Sequence, residues 1–351
     1  MIPLQSRNRF MYKQSLLPRW RGFNLLGMYT THHEGVFLEE DFQIVSDLGF
    51  DFIRLPMSYR RWTKGGAITA EETLQIDESK LSSVDDCVKL GEKYGIHVNI
   101  NLHRAPGYCI NPNPNEPEPF DLWHDAEAVK VFAFHWETLA KRYKGISSDK
   151  VSFDLVNEPL GEADGVTHDD HRRAIEAAVL AIRNIDPDRY IIADGMDGGN
   201  TPCPELADLH IGESCRAYVP MTLSHYKARW WKDSTKWDMV PPSWPQTPNF
   251  DGYWDFDRLY EHYGVWAKMS QELGIGVHCG EGGAYIHTPH KDVLAWFENV
   301  MDILKGYNIG YALWNLRGDF GILDSNRKDV AYEDYKGHLL DRELLKILQA
   351  H

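Results

Sequence analysis

Residues 151–159 read VSFDLVNEP, a short apolar run that ends on an amide, a carboxylate and a proline with no polar spacer. An ionised carboxylate at the rim of a core is costly unless a neighbour uses its charge, so Glu158 calls for a partner. The same arrangement recurs along the chain. Apolar runs at 21–27 (RGFNLLG), 51–55 (DFIRL), 96–102 (IHVNINL), 151–156, 190–193 (YIIA), 209–218 (LHIGESCRAY), 275–279 (IGVHC) and 309–314 (IGYALW) predict eight strands. Helical apolar spacing predicts helices over 39–48, 80–94, 126–143, 168–185, 257–273 and 291–304, with 339–348 closing the chain. Strand and helix in alternation predict a parallel sheet covered on its outside.

Eight such units fit either an open doubly wound sheet or a closed barrel. An open sheet gathers its functional residues at one switch point, whereas a barrel collects them from the ends of many strands. Here Arg54, His103, Asn157 with Glu158, Tyr218, Glu281, and Trp314 with Asn315 each follow a different strand. The pattern therefore predicts a (β/α)8 TIM barrel as a single domain over 1–351, with an N-terminal extension over 1–19. Two long loops, 104–125 (rich in Pro and Asn) and 219–255 (rich in Trp and Pro), follow strands and are expected to stand over the barrel mouth.

Composition narrows the partners. The chain has 37 Lys and Arg against 52 Asp and Glu, a net charge of −15 that repels phosphate backbones and argues against nucleic acid. No long uncharged apolar run suggests a membrane span. Arg7, Arg9 and Lys13 interrupt any leader-like apolar segment, so a cytoplasmic location is expected; a secreted protein whose leader had been removed would read the same. Five widely spaced cysteines form neither a zinc pattern nor a disulfide framework. His32, His33 and Glu34 in TTHHEG lack the HExxH spacing, so they are read as a mouth loop that hydrogen-bonds substrate, with no metal expected. The glycine pairs lack nucleotide-loop spacing, and no cofactor is expected.

Two strand ends carry a glutamate in a polar or glycine-rich setting: Glu158 and, in HCGEGGAY, Glu281. The fourth and seventh strands of a closed barrel face each other across a narrow mouth, which makes Glu281 the partner Glu158 requires. Two carboxylates facing one small space suit glycosidic cleavage, where one delivers a proton to the leaving oxygen and the other attacks or activates water. Their mutual repulsion raises the pKa of one member and so divides the roles.

From about Arg21 to the last helix the chain resembles glycoside hydrolase family 5, the cellulase and mannanase family of clan A. The resemblance rests on NEP (Asn157, Glu158, Pro159), GE (Gly280, Glu281), IRLP (53–56), NLH (101–103) and Trp314 in ALWN, in the family's order. It implies retention of anomeric configuration, with Glu158 as acid/base and Glu281 as nucleophile. It further implies Arg54 beside the nucleophile, Asn157 on the sugar 2-hydroxyl, His103 lining the −1 subsite, Tyr218 on the nucleophile and Trp314 as the floor under the −1 sugar. His225, in the segment that resembles the family's threonine-histidine motif, and Trp123 and Trp230 on the two long loops are expected to add substrate contacts. Arg216 departs from the pattern: the family commonly has His two residues before the Tyr, and an Arg there is expected to meet the sugar or the nucleophile region. The expected substrate is a short β-mannoside or β-glucoside oligosaccharide, cut from one end if the long loops wall off the groove. The alternatives are an endo-acting cellulase or mannanase, a metal-dependent barrel hydrolase or isomerase using the His32–Glu34 cluster and His103, and a non-catalytic sugar-binding barrel.

Overall fold

The computed structural model describes residues 17–231, 234–237, 239–249 and 252–351. Eight parallel strands close a barrel: β1 (Arg21–Asn24), β2 (Phe52–Ser58), β3 (His97–Arg104), β4 (Val151–Asp154), β5 (Tyr190–Asp194), β6 (Gly212–Ala217), β7 (Val277–Gly282) and β8 (Gly310–Leu313). Closure is made where β1 pairs with β8, Arg21 opposite Tyr311 and Phe23 opposite Leu313. The outer helices are α1 (Glu39–Asp47), α2 (Ser82–Tyr94), α3 (Ala126–Tyr143), α4 (His168–Arg183), α5 (Phe256–Leu273), α6 (His290–Gly306) and α7 (Arg342–Ala350). Between β5 and β6 the connection carries only short turns, Met196–Gly199 and Pro204–Leu209.

The alternation within β3 shows how the sequence divides the barrel. Val98, Ile100 and Leu102 join the apolar layer shared with the helices. His97, Asn99, Asn101 and His103, buried on the other parity, point into the barrel. Trp20, Phe52, Ile192 and Ala312 form a separate apolar plug, and Trp20 stacks on His97 with ring centroids 3.8 Å apart. Toward the strands' C-terminal ends the interior turns polar, with Arg54, Asp154, Asp194 and Arg216 all buried.

Most element boundaries differ from the sequence reading by one to three residues, and two of these differences have a local cause. The sixth strand begins at Gly212, because 204–209 forms a 3₁₀ turn with Pro204 at its start. The last helix begins at Arg342, since Leu339 lies in a two-stranded ribbon (Glu333–Tyr335 with His338–Leu340) and Asp341 caps the helix through Leu344 N–H. Residues 1–16 of the expected extension 1–19 lie outside the described residues. The loop 219–255 stands over the mouth only in part. Trp244 is fastened to α6, its backbone N–H to Asp292 (3.0 Å) and its indole to Asn299 (2.9 Å), and Trp254 lies under the guanidinium of Arg258 on α5. Two of this loop's five tryptophans thus pack on helices. All five cysteines are free, and among the described residues no helix is long and apolar enough to cross a membrane.

Candidate active site

Each strand contributes a side chain to the mouth at its C-terminal end, as a parallel barrel requires. Glu281, on β7, accepts a hydrogen bond from Arg54 Nη1 (2.6 Å) and one from the Tyr218 hydroxyl (3.1 Å). His103 Nδ1 lies 3.7 Å from the same carboxylate. Glu158, just beyond β4, accepts from Arg216 Nε (2.9 Å), and the same guanidinium reaches within 3.7 Å of Glu281 through Nη2. The two glutamates therefore share one arginine and one compartment. A bulge makes this possible: the β6–β7 register shifts between Cys215 and Arg216, which sets Arg216 opposite Glu281.

Beneath the acids lies a network with no slack. Arg54 is fully buried, and its three nitrogens are engaged by Asp154 (2.7 Å), by Asn24 and Glu281, and by Asn157 Oδ1 (2.9 Å). Arg216 is fully buried too, its nitrogens engaged by Glu158, Asp194, Ser214 and Asn157 Oδ1. With Asn157 Oδ1 accepting from both arginines, its amide orientation is dictated by the network. Asn157 Nδ2 is buried with no partner among the described residues, a donor left free for a ligand.

The electrostatics separate the two acids. Burial, reinforced by the charge of Glu281 and opposed by Arg216, raises the Glu158 carboxyl to about 8. Its side chain keeps 16 % exposure, toward the mouth. Asp154 is raised to about 6 by burial, against Arg54. Burial, helped by Arg54, holds His103 well below its usual range and so neutral. Burial and the neighbouring Glu281 thus favour the protonated form of Glu158, beside a second acid that two arginines attend.

Two aromatic groups flank the acids. Trp314, partly exposed, stacks on His103 (5.3 Å, interplanar 25°), and Tyr29 sets its ring edge against both. The Trp314–Asn315 peptide is cis. On the other side Tyr218 packs edge to face with both His225 and Phe320, whose rings tilt against each other, with half-exposed Trp230 beyond them against Tyr285 (4.7 Å).

Several expected contacts fall elsewhere. Arg54 and Arg216 offer no free face to a sugar, since every guanidinium nitrogen is bound by protein. His225 is buried behind Tyr218, its Nδ1 paired with Ser224 Oγ (2.9 Å). Trp123 is 2 % exposed, edge-on to Tyr108, and lines a cavity of about 330 Å³ under the 104–125 loop. His33 reaches the rim, bonded to Thr30 Oγ1 (2.8 Å) and edge-on to Tyr29, whereas His32 is exposed at the loop tip. Among the described residues, the one grouping with metal-ligand proximity is His168, Cys203 and Glu205, which includes none of the His32–Glu34 cluster.

The sequence reading missed Asp194, Asn24, Tyr29 and Tyr108. Asp194 ends β5 directly after YIIA and had the same signal as Glu158: a carboxylate closing an apolar run. Asn24 sits as the one polar residue within the run 22–27 (GFNLLG). Tyr108, whose hydroxyl donates to the Glu158 carbonyl (2.6 Å), lies in an irregular loop and carried no such signal.

A parallel eight-stranded barrel whose mouth holds two acids in one compartment has the architecture of a glycoside hydrolase. Residues 18–319 match the family model for cellulase (glycosyl hydrolase family 5), and the chain belongs to that family. It is an enzyme that hydrolyses O-glycosyl bonds of β-glycosides. Endoglucanase C of Acetivibrio thermocellus is 26 % identical over 346 residues, 89 % of this chain and 95 % of that protein. Cellodextrinase A of Ruminococcus flavefaciens is 25 % identical over 279 residues, 77 % and 76 % of the two chains. A solved structure described as a glycoside hydrolase is 39 % identical, with a TM-score of 0.88 over 95 % of this chain and 99 % of its own.

Proposed function

We propose that the enzyme hydrolyses short β-linked gluco-oligosaccharides from one chain end with retention, through a glycosyl intermediate on Glu281 and with Glu158 as acid/base. The observation that carries this reading is the single guanidinium of Arg216 touching both carboxylates. Acids that share one guanidinium face one small space, the arrangement from which one carboxylate can attack directly while the other delivers a proton, and retaining enzymes hold the pair ~5–5.5 Å apart. In the first step Glu281 attacks the anomeric carbon while Glu158 gives its proton to the leaving oxygen. In the second, Glu158 takes a proton from water, which displaces Glu281 and restores the starting ionisation. Asn157 Nδ2 is the donor for the 2-hydroxyl, and Trp314 with Tyr29 is the surface for the apolar face of the −1 sugar.

Action from one end is supported by the way the 104–125 loop is tied down. Glu118 accepts from the Tyr59 hydroxyl (2.7 Å), Arg60 Nη2 (3.0 Å) and Gly107 N–H (2.9 Å). Glu116 accepts from Thr31 Oγ1, on the loop after β1. This stitches together the loops after β1, β2 and β3 into a wall on one side of the mouth. The names endoglucanase and cellodextrinase among the relatives favour a β-glucan-derived substrate.

Incubation with cello-oligosaccharides of defined length, followed by proton NMR, reads sugar, cut position and anomer together. The expected result is a β-anomer product released from one end. An α-anomer at first appearance would overturn the retaining reading, and internal cutting of a long glucan with a rapid viscosity drop would establish endo action instead. Glu118→Ala, by freeing the wall, is expected to lower kcat/KM on a trisaccharide about tenfold, roughly the worth of one charge-assisted hydrogen bond. In the same variant, viscosity loss on soluble glucan should rise. Trp314→Ala should lower kcat/KM by about 10- to 100-fold, the range for burying one large apolar side chain, as measured on the same trisaccharide.

A further inference from the structure

We propose that Arg216 is a positioning residue that clamps the acid/base Glu158 and orients Asn157 through one buried guanidinium. The inference rests on the reading of Glu158 as acid/base. Arg216 Nε holds the Glu158 carboxylate (2.9 Å), Nη1 holds Asp194 Oδ1 (3.1 Å), and Nη2 meets Asn157 Oδ1 (2.9 Å). Asp194 in turn accepts the backbone N–H of Glu158 (2.8 Å). Glu158 is thus gripped at side chain and main chain by one ion pair, at a left-handed φ of 48° that a non-glycine residue adopts only when its surroundings enforce it.

The site is shaped for a long side chain. A Cβ on Gly199 would lie 2.6 Å from Arg216 Cγ, and one on Gly280 would lie 3.1 Å from its Nη1. Glycine at both positions leaves the corridor through which the guanidinium reaches the mouth. Imidazole has two ring nitrogens on a shorter stem, so it cannot engage Glu158, Asp194 and Asn157 together. Because Asn157 Oδ1 is taken by Arg216 and Arg54, Nδ2 is the end presented to substrate.

The charged and titratable groups acting on Glu158 are Glu281 on β7, Arg216 and Tyr218 at β6, Asp194 on β5, Tyr108 on the loop after β3 and Tyr29 on the loop after β1. Cys109, beside Tyr108, also feels its charge. Of these, Arg216 favours the ionised carboxylate, while Glu281 and Asp194 favour the protonated acid. Removing Arg216 and removing the charge of Asp194 should therefore displace the alkaline limb of the pH–rate profile in opposite directions.

The test compares Arg216→Met, Arg216→Lys and Asp194→Asn with the wild type on aryl β-glucosides of good (dinitrophenyl) and poor (phenyl) leaving groups. Arg216→Met is expected to move the alkaline limb up by about one pH unit. It should lose about 10²-fold on the phenyl glucoside, the scale of a misplaced catalytic group, and markedly less on the dinitrophenyl glucoside, whose departure needs little acid. Asp194→Asn should move the limb down, and Arg216→Lys should keep its position while losing rate on the phenyl substrate. Equal losses on both substrates with an unmoved limb in the variants that fold would overturn the inference and leave Arg216 a purely structural ion-pair member. If Arg216→Met does not fold, the other two variants decide: a limb that moves down in Asp194→Asn but stays in Arg216→Lys, with the Lys variant losing rate selectively on the phenyl substrate, supports the inference, and equal losses on both substrates with an unmoved limb in both overturn it. Failure of the underlying reading shows in the wild type itself, as hydrolysis without an alkaline limb or without a leaving-group effect.

Discussion

Replacing Glu281 by Gln is expected to lower kcat on every glycoside, activated or not, by a factor on the order of 10⁴ to 10⁶, the range seen when a nucleophile or its partner base is lost. The amide keeps the shape, its oxygen can still accept from Arg54 and its –NH2 can donate to the Tyr218 hydroxyl, so the barrel should fold, but a neutral amide does not form a glycosyl ester that water can open. The loss should not depend on leaving group, because attack is missing whichever oxygen departs. Steady-state kinetics with dinitrophenyl and phenyl β-glucosides, alongside circular dichroism to verify folding, check this. A variant retaining more than a few per cent of the wild-type rate would show that Glu281 is not the attacking group.

Glu158→Gln has the opposite dependence. With the proton donor gone, hydrolysis of the phenyl glucoside should fall by about 10² to 10⁴, while formation of the intermediate from the dinitrophenyl glucoside should be nearly spared and a burst of phenolate should precede a slow steady state. In the wild type the sign of the pH effect follows from the raised carboxyl. Glu158 must be protonated for the first step, and it is held at about 8 by burial and by Glu281. The rate on poor leaving groups should therefore hold near neutrality and fall as pH rises through about 8, whereas in Glu158→Gln that limb should disappear. A limb that survives the substitution belongs to another group.

Much of the architecture was legible because strand and helix periodicities are local. IHVNINLH displays both faces of β3 in eight letters, apolar residues toward the helices and polar ones toward the barrel interior. Boundaries were lost where a local signal pointed the wrong way: the apolar spacing of 339–348 runs through Leu339, yet Asp341 is the residue that starts the helix. At the site, Glu158 and Glu281 stood out as carboxylates closing apolar runs, and Asp194 would have done so under the same rule had the fifth strand been read one residue further. Trp123 was read as a substrate contact because an indole open to a groove and an indole buried beneath a loop look alike in sequence.

What the sequence determined by itself was the eightfold repeat, the closed barrel and the pair of acids at strand ends, since each depends on residue spacing within a few turns of chain. What only the tertiary structure decided was which charges share a space: Arg54 meets Glu281 across 227 residues of sequence, and Arg216 meets Glu158 across 58. Burial and opposed charges set the ionisation of Glu158, and both arise when the barrel closes and water is expelled around groups that have no proximity along the chain.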